Sequence, residues 1–245
     1  MTGNEDSIVR QVRAALEHET RVNLHRHPLK VGAQADVVVL EGEVESVVAK
    51  KLALRRAAAI DGVRGVVDRL RVAPAEHRGD GQIRDSLCAF LLGEAELRDC
   101  SVRVRSTGGI DTLRDARGAE GGAIEVAIDD GVVTLEGTVI SLSHKRLVGV
   151  LAWWSPGVRD VVNSLQVVPD EEDNDGEIAD ALGLVFEIDP IVRHDLITLK
   201  CRHGVVTLSG AVGTEGERRQ AELDAWALFA VDEVVNEIEV RTPPG

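Results

Sequence analysis

The chain has 245 residues, of which 44% are hydrophobic and 2% aromatic, with no tyrosine. That is apolar enough for folded cores, but it excludes catalytic tyrosines and leaves too few rings for base-stacking platforms. The net charge of −14 opposes generic nucleic-acid binding, which needs clustered Lys and Arg to neutralise phosphates.

The acidity is uneven: residues 1–80 sum to +1, residues 81–170 to −4 and residues 171–245 to −11. The first residues, MTGNEDSIVRQV, are polar and lead directly into a helical pattern, without the basic start and apolar run of a secretory signal. Cys88, Cys100 and Cys201 form no CxxC pair and fit a reducing compartment. These features set the expectation of a cytoplasmic chain. No apolar run reaches the ~18 residues that a bilayer span requires.

In chain order, Ile8, Val12 and Leu16 form the apolar stripe of a first helix. DVVVLEGEV (36–44) reads as a strand, Ser46 as an N-cap, and residues 47–60 as a second helix. GVRGVVDRLRV (62–72) closes this segment as a strand, and APAEHRGDG (73–81) is a linker.

Ile83, Leu87 and Leu91 begin the same series again. Glycine-rich, charged residues 105–123 then interrupt it, reading as a surface loop or as a short helix through IDTLRDAR. Ile124, Val126 and Ile128 alternate as a strand, and Asp130-Gly131 is a hairpin signal leading into GVVTLEGTV (131–139). Ser141 caps a helix over 142–154, GVRDVVNSLQV (157–167) follows, and PDEEDNDGE (169–177) is the second linker. A third series runs from Ile178, Leu182 and Phe186 through His203-Gly204 and GVVTLSGAV (204–212). It continues with Thr214 and Glu217, a capping box, a helix over 215–229, and AVDEVVNEIEV (230–240).

The three series share one register. Val63, Val158 and Val231 each lie 21 residues after Gly42, Gly137 and Gly210, and Asp68, Asn163 and Asn236 each lie 26 after them. A repeat held in register this way is a triplicated module. The expected fold class is α+β (α/β two-layer): three tandem α-β-β-α-β modules over 1–73, 81–169 and 175–241. Each is a small mixed sheet covered by two helices, with a right-handed crossover to its last strand and an insertion at 105–123 in the second. Gly42, Gly137 and Gly210 fall on the apolar strand face, where a helix backbone is expected to approach closely.

This pattern resembles the BON domain family, named for bacterial osmotic-stress and nodulation proteins. The resemblance rests on GVVTLSG followed by a helix and GV-x-x-VVN-x-L-x-V. Gly131–Gly137 with Gly157–Val167 match it, as does Gly204–Gly210, though Ala230 replaces the later glycine. The first module departs at Asp36 and Asp68. The resemblance implies an α-β-β-α-β fold and a non-catalytic role in binding phospholipid membranes, envelope components or other modules.

One polar feature recurs: Lys50-Lys51, Lys145-Arg146 and Arg218-Arg219 occupy the same two sites one turn inside the second helices. Cations are mildly unfavourable there, so the pairs fit either an anion contact such as lipid phosphate or a solvated face pairing with nearby acids. Arg55 and Arg56 make KKLALRRAAA the most basic patch, the segment best suited to an acidic membrane surface. His18, His25 and His27 cluster without a carboxylate or thiol at ligand spacing, so exposed histidines are expected over a metal site. Trp153 and Trp226 share a helix position as core or module-contact residues. Asp68, Asn163 and Asn236 are expected to bond to backbone at the start of the last strand.

With no GxSxG, Walker loop, HExxH or nucleophile–base set, no catalytic residue, cofactor or metal is expected. The expected function is a non-enzymatic interaction protein contacting an anionic phospholipid surface or a protein partner. The alternative is a cytoplasmic small-ligand or cation sensor whose modules rearrange on binding, drawing on the acidic third module.

Overall fold

The stripes at helical spacing are the most deeply buried parts of the chain. Ile8, Val12 and Leu16 are at most 2% exposed, Ile83, Leu87 and Leu91 are fully buried, and Ile178, Leu182 and Phe186 are at most 5% exposed. Each fully buried Leu or Ile contributes roughly 1.5–3 kcal/mol, enough to fix which face of each helix meets its sheet. The computed structural model describes residues 3–116 and 121–241 and divides into two compact units, Met1–Ala75 and Glu76–Gly245.

The first unit contains α1 (Gly3–Glu17), β1 (Lys30–Gln34), β2 (Val37–Val44), α2 (Val47–Ala58) and β3 (Gly65–Val72). Its sheet has the order β1-β2-β3, with β1 antiparallel and β3 parallel to the central β2. Val38, Leu40 and Val44 of β2 are buried while the residues between them are partly exposed, the period-2 alternation of a sheet with one covered face.

The second unit repeats this arrangement twice. Its elements are α3 (Asp80–Gly93), β4 (Ser101–Ser106), β5 (Gly109–Arg114), β6 (Gly122–Asp129), β7 (Val132–Val139), α4 (Leu142–Trp154), β8 (Asp160–Asn163) and β9 (Gln166–Val167). They continue with α5 (Asp175–Ile188), a 3₁₀ turn at His194–Leu196, β10 (Ile197–Arg202), β11 (Val205–Val212), α6 (Glu215–Ala227) and β12 (Glu233–Val240). One sheet has the order β10-β11-β12, and the other β5-β4-β6-β7-β8 with β9 also beside β7. Among the described residues, six α-helices and three mixed sheets thus give the α+β fold.

The caps fall where the sequence puts them. Ser46 Oγ accepts from the N–H of Ala49 at 3.2 Å, Ser141 Oγ from His144 at 3.2 Å and Thr214 Oγ1 from Glu217 at 3.1 Å, each worth about 1 kcal/mol. The Glu217 carboxylate reaches one residue further than a capping box predicts, accepting from Gly213 N at 3.2 Å and from Arg193 N at 3.2 Å.

The two reading options for 105–123 give way to a third. β4 and β5 form an antiparallel hairpin, and β4 pairs in parallel with β6, so the interruption adds two strands to the sheet; residues 117–120 lie outside the described residues. Arg114 fastens this hairpin, donating to Cys100 O at 2.8 Å, Leu91 O at 3.3 Å and Leu92 O at 3.4 Å, and also to Leu97 O. A guanidinium thus satisfies the carbonyls left over at and beyond the C-terminus of α3.

The repeated glycine also has a different cause from the one expected. A Cβ on Gly137 would lie 2.1 Å from Ala123 O, and one on Gly210 would lie 2.1 Å from Leu196 O, at φ of +115° and +131°. The crowding atom is Ala123 O in β6 for Gly137 and Leu196 O, at the end of the 3₁₀ turn leading into β10, for Gly210, and in neither case an α-helix backbone. Gly42 is more relaxed, with Pro28 O at 3.2 Å.

The hairpin turns separate the modules in the same way. Asp130-Gly131 and His203-Gly204 all have positive φ, the requirement of a two-residue type I′ turn. In the first module's turn, Ala35-Asp36, positive φ occurs at Ala35 and not at Asp36.

Candidate functional site

The second helices carry the recurrent basic pairs, and each pair is placed by what the last strand offers it. In β8 and β12 an asparagine faces a leucine of the central strand, Asn163 opposite Leu135 and Asn236 opposite Leu208. Its two ends do different work. Oδ1 accepts from the N–H two residues on, Leu165 at 3.3 Å or Ile238 at 3.2 Å, and Nδ2 donates to a carbonyl of the second helix, Lys145 O at 2.8 Å or Arg218 O at 3.1 Å. The expected backbone bond is present, and a second bond ties strand to helix.

Asp68 holds this position in the first module, opposite Leu40. It accepts from Leu70 N at 2.9 Å but has no N–H to give the helix. The donor comes from the helix instead. Lys50 Nζ lies 2.9 Å from Asp68 Oδ2 and donates to Leu70 O at 2.8 Å, with the residue only 6% exposed. Lys50 is therefore part of the module's interior bonding.

The other basic residues divide by exposure. Arg146 is 1% exposed; it pairs with Asp173 at 2.6 Å and donates through Nε to Phe229 O at 3.3 Å. Its neighbour Lys145 places Nζ 5.8 Å from the centroid of the Phe229 ring, within cation–π range. Arg218 pairs with Glu215 at 3.1 Å. Lys51 is half-buried, while Arg55, Arg56 and Arg219 are exposed. Arg56 reaches Glu19 through Nε at 3.0 Å and Nη2 at 2.7 Å. Burial alone would raise the Glu19 carboxyl, but the Arg56 hydrogen bond, the Arg21 N–H and both positive charges outweigh it and hold it below its ordinary value.

A second recurrent device was not found from sequence. An acid in the first turn of each first helix clamps the hairpin turn. Asp80 accepts from Asp130 N at 3.1 Å and Gly131 N at 2.9 Å, and Asp175 from His203 N at 2.7 Å and Gly204 N at 3.0 Å. Glu5 accepts from Ala35 N at 3.1 Å. The turn N–H bonds, Gly204 first and then His203, hold Asp175 below its ordinary value. The insertion hides this pairing, since Asp80 precedes Gly131 by 51 residues whereas Asp175 precedes Gly204 by 29.

The second unit also contains a buried polar contact between helices of different modules. Trp154 Nε1 of α4 donates to Asp224 Oδ1 of α6 at 3.0 Å, and Gln220 Nε2 donates both to Asp224 Oδ1 at 2.9 Å and to Asp189 Oδ2 at 3.0 Å. Trp226 is fully buried and Trp153 half-buried. His18 and His25 are exposed and His27 half-buried; no group of three or more His, Cys, Asp or Glu able to hold a metal ion occurs among the described residues. No helix among them is long and apolar enough to cross a membrane.

Known proteins carry the same pattern. The BON domain family model matches residues 4–74, 110–169 and 174–242. Osmotically-inducible protein Y of Escherichia coli (strain K12) is 28% identical over 170 residues, covering 66% of this chain and 72% of that protein. Two solved structures of CdsD, a structural protein of the type III secretion system of Chlamydia trachomatis, align at 12% and 11% identity. They cover 96% and 97% of this chain and 97% and 93% of theirs, but the TM-score of 0.24 in both carries no argument. The Escherichia coli relative corrects one expectation. It is a periplasmic or secreted osmotic-stress protein, which contradicts the cytoplasmic location inferred from the polar first residues and the unpaired cysteines; neither feature fixes a compartment. With family matches at all three repeats, the chain belongs to the BON domain family.

Proposed function

We propose that the chain is a non-enzymatic, stress-related interaction protein whose modules, spanning 1–73, 81–169 and 175–241, present basic helix faces to an anionic phospholipid surface. One observation carries this reading: α2 keeps Lys51, Arg55 and Arg56 at half-buried or exposed positions on one segment of a unit that is close to neutral. Lys50 and Arg146 serve the interior, so the contact falls to Lys51, Arg55 and Arg56, joined in the acidic remainder by Lys145 and Arg218 at the position of Lys50 and by Arg219 at that of Lys51. The matching family and its osmotic-stress relative support a binding role over a catalytic one.

The test is flotation of the full chain with vesicles of phosphatidylglycerol and phosphatidylcholine at low salt. The chain should co-float with them and not with pure phosphatidylcholine. Changing Lys51, Arg55 and Arg56 together to Gln should weaken binding by roughly 100-fold, at about 1 kcal/mol per basic residue near the surface. Absence of flotation by the unaltered chain at low salt would remove the lipid reading and leave a protein partner as the target.

A further inference from the structure

Asp224 is 1% exposed, and its two carboxyl oxygens are treated unequally. Oδ1 accepts two hydrogen bonds, from Trp154 Nε1 and Gln220 Nε2. Oδ2 is buried and accepts none. A buried carboxylate oxygen left that way is costly. Beside it lies the carboxyl of Asp189, just beyond the end of α5, which already accepts from Ile191 N at 2.7 Å and from Gln220 Nε2 at 3.0 Å. Two carboxyls sharing one amide donor in a buried place cannot both ionise cheaply. A proton on Asp224 Oδ2 resolves the conflict, turning the unsatisfied acceptor into a donor toward Asp189.

The elements around this pair are α4, which brings the neutral Trp154, α5, which leads into Asp189, and α6 itself, which brings Gln220. Asp189 is the charged group acting on Asp224. Burial first, and then the Asp189 charge, push the Asp224 carboxyl up to about 8, against smaller opposing effects from the Trp154 and Gln220 hydrogen bonds.

We propose that the α4–α6 contact between the second and third modules is a proton-operated latch, closed when Asp224 holds its proton and loosened when the proton passes to solvent. Ionisation places an uncompensated charge at the point where Trp154 of one module meets Asp224 of the other. Arg146 of α4, which donates to Phe229 O just beyond α6, still bridges the two modules when that happens. The linkage has a definite sign. The unfolded chain loses this proton near 3.8 and the folded chain near 8. Between those values the folded state binds the extra proton, so this group's contribution to stability falls as pH rises and levels off above the folded value.

The three tryptophans, Trp153, Trp154 and Trp226, lie on α4 and α6, so intrinsic fluorescence of the full chain reads the latch without added ligand. Titrated from about pH 6 to about pH 10, the emission should change with a midpoint near 8. Asp224→Asn keeps an acceptor for Trp154 and supplies a permanent donor toward Asp189. It should abolish the transition and melt at least as high as the unaltered chain on the alkaline side. Flat emission in the unaltered chain, or the same transition in Asp224→Asn, overturns the proposal. Should Asp224→Asn not fold, Trp154→Phe decides. Loss of the indole donor should move the midpoint to higher pH, and an unmoved midpoint counts equally against the latch. Lipid enters neither arm, so the outcome is separate from the membrane reading.

Discussion

The first and third modules close the same gap between second helix and last strand with different chemistry. In the third, Asn236 supplies both an acceptor and a donor from one side chain. In the first, Asp68 supplies only acceptors, and Lys50 bends inward to provide the missing positive donor. The acid in the strand thus goes with a buried lysine in the helix, where the amide goes with the half-buried Lys145 or Arg218. The recurrence of basic pairs in the sequence hides this, because Lys50, Lys145 and Arg218 share a position without sharing a role.

The sharpest way to break the comparison is at the repeated glycine. Gly210→Ala and Gly137→Ala set a Cβ against a carbonyl oxygen at 2.1 Å with positive φ, while in Gly42→Ala the nearest backbone atom is 3.2 Å away. The first two should lose about 3 kcal/mol or more in urea unfolding, and Gly42→Ala roughly half as much. Equal losses would show that the first module is not the looser one.

The Asp68–Lys50 exchange comes next. Lys50→Met takes the buried ammonium away from Asp68 Oδ2 and Leu70 O, leaving Asp68 the Leu70 N–H and Leu70 O the Arg71 guanidinium, and should cost about 2 kcal/mol. Adding Asp68→Asn to Lys50→Met rebuilds the arrangement of the other two modules and should recover most of that loss. A double variant no better than Lys50→Met would mean that the asparagine cannot reach the α2 backbone.

The smallest effect is at the hairpin turns. Asp175 holds two turn N–H groups and Glu5 one. Asp175→Asn should speed amide exchange at His203 and Gly204 more than Glu5→Gln does at Ala35. Because the folded value of Asp175 is lowered, its clamp is fully present above its ordinary value of 3.8 and is lost as pH falls through the lower folded value. Exchange at the two turn amides should therefore rise, after correction for intrinsic rate, only on the acid side of that window.

Much of the fold was legible because it depends on local periodicity. The i, i+4, i+8 stripes and the Ser46, Ser141 and Thr214 caps can be read over a few residues, and three copies in register make each reading stronger. Residues 105–123 were not legible. GIDTLR has no alternation that separates a strand from a loop, and its pairing with β4 and the reach of Arg114 to α3 are non-local. The candidate site was legible only as a recurrence of charge, since burial separates Lys50 and Arg146 from Arg55 and Arg219 and burial depends on what packs opposite. Asp224 gave no signal at all. It lies in a polar-looking helix, and its neighbours Asp189 and Trp154 are 35 and 70 residues away.

By itself the sequence determined the repeat: three copies, the order of elements they share, their caps and their covered faces, because 3.6- and 2-residue periods and short capping contacts are properties of adjacent residues. Tertiary structure alone decided which charges are spent inside, why the repeated glycine is a glycine, and where a carboxyl keeps its proton. Each of those depends on desolvation and on a partner atom brought close by the fold, and neither quantity exists along the unfolded chain.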